Sequence, residues 1–202
     1  MRTPLVPAVQ RLIPLAACRR MPWKNGGGET TEVAAFPEGA GLDAFDWRVS
    51  MARVAGDGPF SVFPGIDRTL AVLDGGGLRL SIQGRAPEDL TPGSPPLAFP
   101  ADVPTSATLL DGPVTDLNVM TRRATTRHAL DVARHPAGAV IPATTPWLLL
   151  LPIEAGAELI TPSGPLRLGR RDTLLVTGGD EAAWTAVLGE SARLAVVSIR
   201  PA

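Results

Sequence analysis

Glycine and proline interrupt this chain so often that long regular helices have little room. The 202 residues include 21 glycines and 21 prolines, and the apolar residues between them form short runs or alternate with polar ones. Short runs bounded by turn residues are typical of β-strands, and no segment shows the helical period of about 3.6 residues. The sequence therefore predicts an all-β protein of roughly fifteen short strands.

Two of the predicted strands carry polar side chains at alternate positions. Arg48 and Ser50 share one face of the predicted strand Asp46–Val54, and Asn118 and Arg122 share one face of a later strand. Successive side chains of a strand point to opposite faces, so each pair points either into a barrel or into solvent. Both orientations remain open, although an asparagine within a strand is disfavoured by propensity and indicates a specific hydrogen-bonding role.

A change of composition at Arg134–Pro146 predicts a domain boundary. This segment is polar and rich in turn residues, and the hairpin around Leu73 weakly resembles the hairpin around Pro152. No helical period separates the strands, so two sequential β-barrels or sandwiches are favoured over an α/β arrangement. We expect an N-terminal domain of residues 1–133 and a C-terminal domain of residues 134–202.

Charge and composition exclude several classes of function. The net charge is −1 and the pI is near 6.1, which gives no electrostatic basis for binding nucleic acid or an anionic membrane. No apolar run reaches the roughly 18–20 residues of a membrane span, and no secretory signal pattern is visible, so a cytoplasmic location is expected. Cys18 is the only cysteine, which excludes an internal disulfide framework.

A glycine-rich segment near the N-terminus is open to two interpretations. Trp23 begins the run WKNGGG, which includes Lys24, Asn25, Gly26 and Gly27. The run suits a tight turn because asparagine and glycine tolerate positive φ. Consecutive backbone N–H groups beside a lysine also suit an anion. The spacing does not match a nucleotide-binding loop.

The motifs, in order, resemble the HutD/Ves family. They read WKNGGGETTE from Trp23, FP from Phe36, WRVS from Trp47, FSVFPGIDR from Phe60 and NVMTR from Asn118. The resemblance covers nearly the whole chain, although its specific motifs lie in residues 21–123. It implies a bicupin, which is two cupin-type (jelly-roll) barrels in one chain, from a bacterial family tied to histidine utilisation or to stress response. The WKNGGG form favours the histidine-utilisation branch.

The general cupin pattern predicts a barrel without a metal or other cofactor. Its usual metal-ligand positions fall on Ser61, Phe63, Arg68 and Thr105 in this chain. None of these is a good ligand, and an arginine repels a cation. The chain has only two histidines, His128 and His135, whereas a zinc site needs three or four ligands.

The favoured hypothesis is a non-catalytic protein that binds a small anionic metabolite in its N-terminal barrel. The resemblance implies a role in sensing or buffering a histidine-breakdown intermediate such as N-formylglutamate. An arginine at a ligand position suits a carboxylate, since it supplies bidentate, charge-assisted hydrogen bonds. The predicted ligand-binding residues are Trp23, Lys24, Asn25, Gly26, Gly27, Arg48, Ser50, Ser61, Phe63, Arg68, Asn118 and Arg122.

Two other functions stay open. One is a metal-independent enzyme, an isomerase or hydrolase of a small acid, with Glu32 or Asp67 as base beside Arg48. The other is a structural or partner-binding protein whose pocket is vestigial. A homodimer is compatible with all three functions.

Overall fold

The structure is a computed structural model that describes residues 8–24, 26–178 and 184–202. The described residues form antiparallel β-sheets, and their only helical segment is the 3-10 turn Leu15–Ala17. No helix in these ranges is long and apolar enough to cross a membrane. The prediction of an all-β protein is confirmed.

The chain divides into two compact units. One unit, called here the N-terminal barrel, comprises Cys18–Arg127 and Pro201–Ala202. The other, called the C-terminal barrel, comprises His128–Arg200 together with the described residues up to Ala17.

The N-terminal barrel consists of two antiparallel sheets. The six-stranded sheet has the order β2-β3-β4-β11-β6-β9, and the four-stranded sheet has the order β5-β10-β7-β8. The strands are β2 (Arg19–Pro22), β3 (Gly28–Phe36), β4 (Trp47–Val54), β5 (Gly58–Pro59), β6 (Ile66–Asp74), β7 (Leu78–Ile82), β8 (Glu88–Leu90), β9 (Leu97–Pro100), β10 (Thr105–Leu109) and β11 (Val114–Arg122).

The core of the N-terminal barrel lies between its two sheets. Val54, Leu70 and Val114 of the larger sheet pack in one buried cluster with Leu78 and Leu80 of the smaller sheet. These residues alternate with outward-facing residues along their strands, as the period of a strand requires. The alternating sequence pattern therefore decides which residues fill the interior of this barrel.

The C-terminal barrel also has two sheets, with the orders β1-β17-β14-β19-β12 and β13-β18-β15-β16. Leucine, valine, isoleucine and alanine side chains from both sheets form its core, together with Trp184. The strands are β1 (Val9–Ile13), β12 (Thr126–His135), β13 (Val140–Pro142), β14 (Trp147–Pro152), β15 (Ala157–Thr161), β16 (Gly164–Leu168), β17 (Thr173–Thr177), β18 (Thr185–Leu188) and β19 (Ala192–Pro201).

The division of the chain differs from the predicted 1–133 and 134–202. The change from one unit to the other falls between Arg127 and His128, inside strand β12 and not in the polar segment that follows it. The first strand, β1, pairs with β17 along Thr173–Thr177, so Val9–Ile13 belongs to the C-terminal barrel. Local composition carries no information about such a pairing, because the two strands are far apart in sequence.

Candidate functional site

A group of polar side chains lies on the inner face of the six-stranded sheet. Ala52 and Val54 of β4 pack in the core of the N-terminal barrel, and residues two and four positions before Ala52 share its face. Arg48 and Ser50 therefore point into the barrel, where both are buried. This resolves the orientation that the sequence left open.

The neighbouring strands place further polar residues beside them. Asn118 of β11 lies opposite Ser50 of β4, and Asp116 lies opposite Ala52. On the other side of β11, Met120 lies opposite Arg68 of β6. We call Glu32, Arg48, Ser50, Arg68, Asp116 and Asn118 the polar cluster. All of them are at most 7% exposed except Glu32, which is partly buried.

The positive charge of Arg48 is balanced within the cluster. Its Nε donates to Oε2 of Glu32 over 2.7 Å, and its Nη1 donates to Oγ of Ser50 over 3.3 Å. Glu32 lies on β3 just before a register shift between Glu32 and Ala34. This ion pair is shielded from water on the arginine side, where a buried charge needs a partner.

The guanidinium of Arg68 is held mainly by aromatic rings. Its Cζ lies 5.2 Å from the ring centre of Phe60, 5.4 Å from that of Phe63 and 5.8 Å from that of Phe99, distances at which cation–π attraction acts. Its Nη2 contacts the sulfur of Met120 at 3.8 Å.

No described carboxylate lies within ion-pair distance of Arg68, and its buried Nε has no hydrogen-bond partner among the described residues. Burial lowers the pKa of Arg68 to about 10, with a smaller contribution in the same direction from Arg48 and an opposing one from Asp116. The side chain therefore stays protonated near neutral pH and is a buried cation held chiefly by rings.

Asp116 is a fully buried carboxyl group in the same interior. Its Oδ1 accepts a hydrogen bond of 2.7 Å from Nδ2 of Asn118. Burial raises the pKa of Asp116 to about 7, although Arg68, the backbone N–H of Ala52 and the Asn118 amide all act to lower it.

Oδ2 of Asp116 and Oδ1 of Asn118 are buried and lack partners within the described part of the chain. Buried polar atoms are ordinarily hydrogen-bonded. The cluster thus contains two buried acceptors and, at Nε of Arg68, one buried donor that have no partner among the described residues.

The structure brings together five of the predicted site residues: Arg48, Ser50, Phe63, Arg68 and Asn118. Nearby, Trp23 is partly buried against the core, and its indole Nε1 donates to Oγ1 of Thr30 over 2.8 Å.

The glycine-rich turn joins β2 to β3 at one edge of the six-stranded sheet. Lys24 and Gly26 are exposed, Gly27 is half-buried, and Asn25 lies outside the described residues.

Ser61 and Arg122 take other positions. Ser61 is exposed in the loop between β5 and β6. Nε of Arg122 donates to the carbonyl of Phe45 over 3.1 Å, and its Nη2 donates to the carbonyl of Asp43 over 3.0 Å. Arg122 therefore braces the loop between β3 and β4.

The two bases considered for an enzyme lie in different surroundings. Glu32 is in the cluster but is paired with Arg48. Asp67 precedes Arg68 on β6 and so faces away from it, and its carboxylate pairs with Arg123 over 2.8 Å. The carboxyl group that sequence reasoning missed is Asp116, although the alternation that links Asn118 and Arg122 places it on the same face.

Residues at the positions that the cupin pattern assigns to metal ligands make other contacts. Phe63 packs on Arg68, and Oγ1 of buried Thr105 donates to the carbonyl of Val103 over 3.0 Å. In the described ranges no three His, Cys, Asp or Glu side chains come together to hold a metal ion. Metal independence stays a prediction.

The interior of the C-terminal barrel is different in character. Its buried core is apolar, and the only buried polar residues described there are Thr161 and Thr173. The polar cluster therefore makes the N-terminal barrel the candidate site.

The two barrels have the cupin-type β fold that the sequence predicted, and solved structures that share this fold confirm it. The bacterial pirin YhhW from Escherichia coli shares the fold with a TM-score of 0.66 at 10% identity, over 96% of this chain and 99% of its own. The family is more specific. Residues 15–195 match the model of the HutD family, so the chain belongs to the HutD family.

Two sequence relatives agree with this assignment. An uncharacterized 21.2 kDa protein in the hutC 3′ region of Pseudomonas putida is 33% identical over 180 residues, which is 89% of this chain and 93% of that protein. Protein Ves from Cronobacter sakazakii is 36% identical over 164 residues, or 74% and 88% of the two chains.

Among solved structures, HutD from Pseudomonas fluorescens superposes with a TM-score of 0.82 at 28% identity, over 96% of this chain and all of its own (100%). The predicted resemblance to HutD and Ves is confirmed, and the chain is linked through its family to hut genes.

Proposed function

We propose that this protein binds a small carboxylate metabolite in its N-terminal barrel and acts in the cytoplasm as a sensor or buffer for histidine utilisation. The observation that supports this most directly is the charge state of Arg68. It is a buried cation with no described carboxylate at ion-pair distance, whereas Arg48 beside it is paired with Glu32.

A buried charge without a partner is unfavourable, and a carboxylate guest would relieve this cost. Nε of Arg68 is a donor in fixed orientation, because three phenylalanine rings surround the guanidinium. Arginine recognises carboxylates through charge-assisted hydrogen bonds of this kind. The rings also exclude water, which strengthens the electrostatic attraction.

The remaining polar atoms suit a ligand with a second polar group. Oδ1 of Asn118 is a buried acceptor, and Ser50 lies opposite it across the strand pair. An N–H group on the ligand would satisfy such an acceptor. N-formylglutamate, which carries two carboxylates and an amide N–H, is therefore the ligand we propose first.

A binding role is better supported than catalysis. Asp67 faces away from the cluster and is paired with Arg123, and Glu32 is paired with Arg48. Neither carboxylate is therefore free to act as the general base that the enzyme hypothesis places beside Arg48.

The test is calorimetry of the purified protein with N-formyl-L-glutamate, glutarate and formate. Formate is included as the smallest carboxylate, since the solved HutD from P. fluorescens is described as a formate condition. Arg68→Met keeps an apolar stem of similar length and removes the charge. Losing a buried charge partner costs roughly 2–5 kcal/mol of binding, so affinity should fall at least about tenfold.

Arg85→Met is the matched control. Arg85 is exposed and donates to the carbonyl of Ala98 over 3.0 Å, so its loss should leave affinity almost unchanged. The proposal fails if none of the three anions binds the wild-type protein, or if Arg85→Met weakens binding as much as Arg68→Met does. Consumption of N-formyl-L-glutamate by the wild-type protein would favour the enzyme instead.

A further inference from the structure

The charges inside the N-terminal barrel leave one carboxyl group without a clear role. The other charged groups on this face of the six-stranded sheet come from three strands. They are Arg48 on β4, Arg68 on β6 and Glu32 on β3, while the four-stranded sheet contributes apolar side chains to the core. Since Glu32 and Arg48 balance each other, Asp116 and Arg68 determine the net charge of the interior.

A second negative charge next to Arg68 is costly in a buried interior. When Asp116 is ionised, it is the internal counter-charge of Arg68, although no direct hydrogen bond joins them in the described contacts. When Asp116 is protonated, Arg68 has no counter-charge. A ligand carboxylate on Arg68 would stand near Asp116 in a water-poor interior, where two like charges repel strongly.

We propose that the site binds its anion together with one proton, which Asp116 takes up as the ligand carboxylate occupies Arg68. The inference rests on the proposed function and adds a role for a residue that makes no ion pair there. In this role Asp116 controls whether the site binds an anion. Protonated Asp116 allows an anion to bind at Arg68, whereas ionised Asp116 competes with that anion as the counter-charge of Arg68.

Two features of Asp116 support proton uptake. The group is completely buried, and its Oδ2 lacks a partner among the described residues, so a proton can reside there without breaking the Asn118 hydrogen bond to Oδ1. Burial also raises its pKa to about 7, so a modest further repulsion by the ligand moves the group from about half protonated to mostly protonated at neutral pH.

The consequence is a pH dependence of affinity with a definite sign. Above the pKa of Asp116 in the ligand-free protein, binding must take up a proton, so affinity falls as pH rises, by up to about tenfold per pH unit. Below that pKa the proton is already present and affinity levels off. The carboxylates of the probe stay ionised throughout, since their pKa values lie near 4.

Calorimetry with N-formyl-L-glutamate in buffers of low and high ionisation enthalpy measures the proton directly. At about pH 8 the wild-type protein should take up close to one proton per ligand, and at about pH 6 close to none. Affinity should be about tenfold higher at the lower pH. These measurements use the wild-type chain and do not depend on any variant.

Asp116→Asn mimics the protonated group and should abolish both effects. It should bind the probe at about pH 8 as tightly as the wild-type protein does at about pH 6, without proton uptake. Asp89→Asn removes the same charge from an exposed position on β8 and should behave as the wild type does.

The outcomes separate this inference from the function on which it rests. Binding with equal heats in both buffers and equal affinity at both pH values overturns the role of Asp116 and leaves the binding function standing. Proton uptake that persists in Asp116→Asn does the same. Failure of the probe to bind at either pH overturns both.

Discussion

Three buried ionisable residues account for most of the polar chemistry inside the N-terminal barrel. Arg48, Arg68 and Asp116 are ionisable groups inside a barrel whose remaining core is apolar, and charged groups in such places need partners or an altered protonation state. Glu32 supplies the partner for Arg48. Arg68 and Asp116 show altered pKa values in opposite directions, because burial disfavours the charged form of both.

The sequence alone gives only part of the evidence that Asp116 lies inside the barrel. Asp116 precedes Asn118 by two residues in a strand pattern, which places both on one face. Whether that face is inside the barrel depends on which residues the other sheet covers, and alternation alone does not contain this information. Arg122 shows the converse, since it follows the same alternation but lies at the strand end, where it bonds to loop carbonyls.

The raised pKa of Asp116 predicts how stability depends on pH. The pKa of an unfolded aspartate is about 4, whereas that of folded Asp116 is about 7. The native state holds this proton more tightly, so the stabilisation is fully present below about pH 4 and is lost as pH rises to about 7. The Asp116→Asn variant does not lose this stabilisation as pH rises. The excess stability of Asp116→Asn over the wild type should therefore grow between these pH values in urea unfolding.

Asp89→Asn provides the comparison. The hydrogen bond from Arg79 lowers the pKa of exposed Asp89, so its removal should give a small difference of the opposite sign, which is complete once pH has risen to the unfolded pKa of about 4. If the difference curves of the two variants have the same sign, the burial of Asp116 does not control its ionisation.

At the scale of elements, the sequence predicted where the central strands lie along the chain, but not which residues pack around each element. The predicted strand Asp46–Val54 is observed as Trp47–Val54, and the predicted Asp116–Arg122 as Val114–Arg122. These strands are central and nearly all of their residues are buried, so their short runs bounded by turn residues make a clear pattern.

The turn between β2 and β3 shows that the sequence pattern alone does not reveal why its glycines are needed. Its glycines suggested an anion cradle, yet the backbone N–H of Trp23 donates to the carbonyl of Gly28 over 2.9 Å, and Ala55 N–H donates to the carbonyl of Gly27 over 2.8 Å. A Cβ added at Gly28 would lie 2.3 Å from the backbone oxygen of Arg53. Close packing on β4 therefore explains this glycine without a ligand.

This packing makes a prediction about the hairpin. Gly28→Ala forces the backbone of β3 away from β4 and should destabilise the fold by roughly 1–3 kcal/mol, as overpacking does. Gly58→Ala is the control, since nothing lies within 4 Å of its added Cβ, and a change of less than about 0.5 kcal/mol is expected. The midpoints of urea unfolding for the two variants measure the difference. Equal midpoints would mean that β3 yields easily and that Gly28 is retained for another reason.

At the scale of the whole molecule, the sequence predicted two β units, and the structure assigns residues to them differently. Composition marked the polar segment Arg134–Pro146, whereas the chain passes from one unit to the other at Arg127 within β12. A boundary inside a strand leaves no trace in composition, because both sides continue the same alternation. The pairing of β1 with β17 joins residues more than a hundred positions apart, and local pattern reasoning does not extend so far.

The pairing of β1 within the C-terminal barrel predicts different effects of deleting residues from the two ends of the chain. Val9–Ile13 covers one edge of β17, and Gln10 accepts a hydrogen bond of 3.2 Å from Nε1 of Trp184 in the core of the same barrel. Deleting residues 1–13 exposes the edge of Thr173–Thr177 and removes the partner of that indole. The deletion should therefore raise local opening in the C-terminal barrel.

Hydrogen exchange followed by mass spectrometry resolves the two barrels within one sample. Peptides of β17 and β14 should lose protection by at least about tenfold, whereas peptides of β4 and β11 should keep theirs, since β1 belongs to the other unit. Deletion of Pro201–Ala202 is the matched control, because it removes the contact of Ala202 N–H with Thr125 O and leaves β17 covered. An equal loss of protection in β4 and β17 on removing β1 would contradict this prediction and show that the two barrels open together.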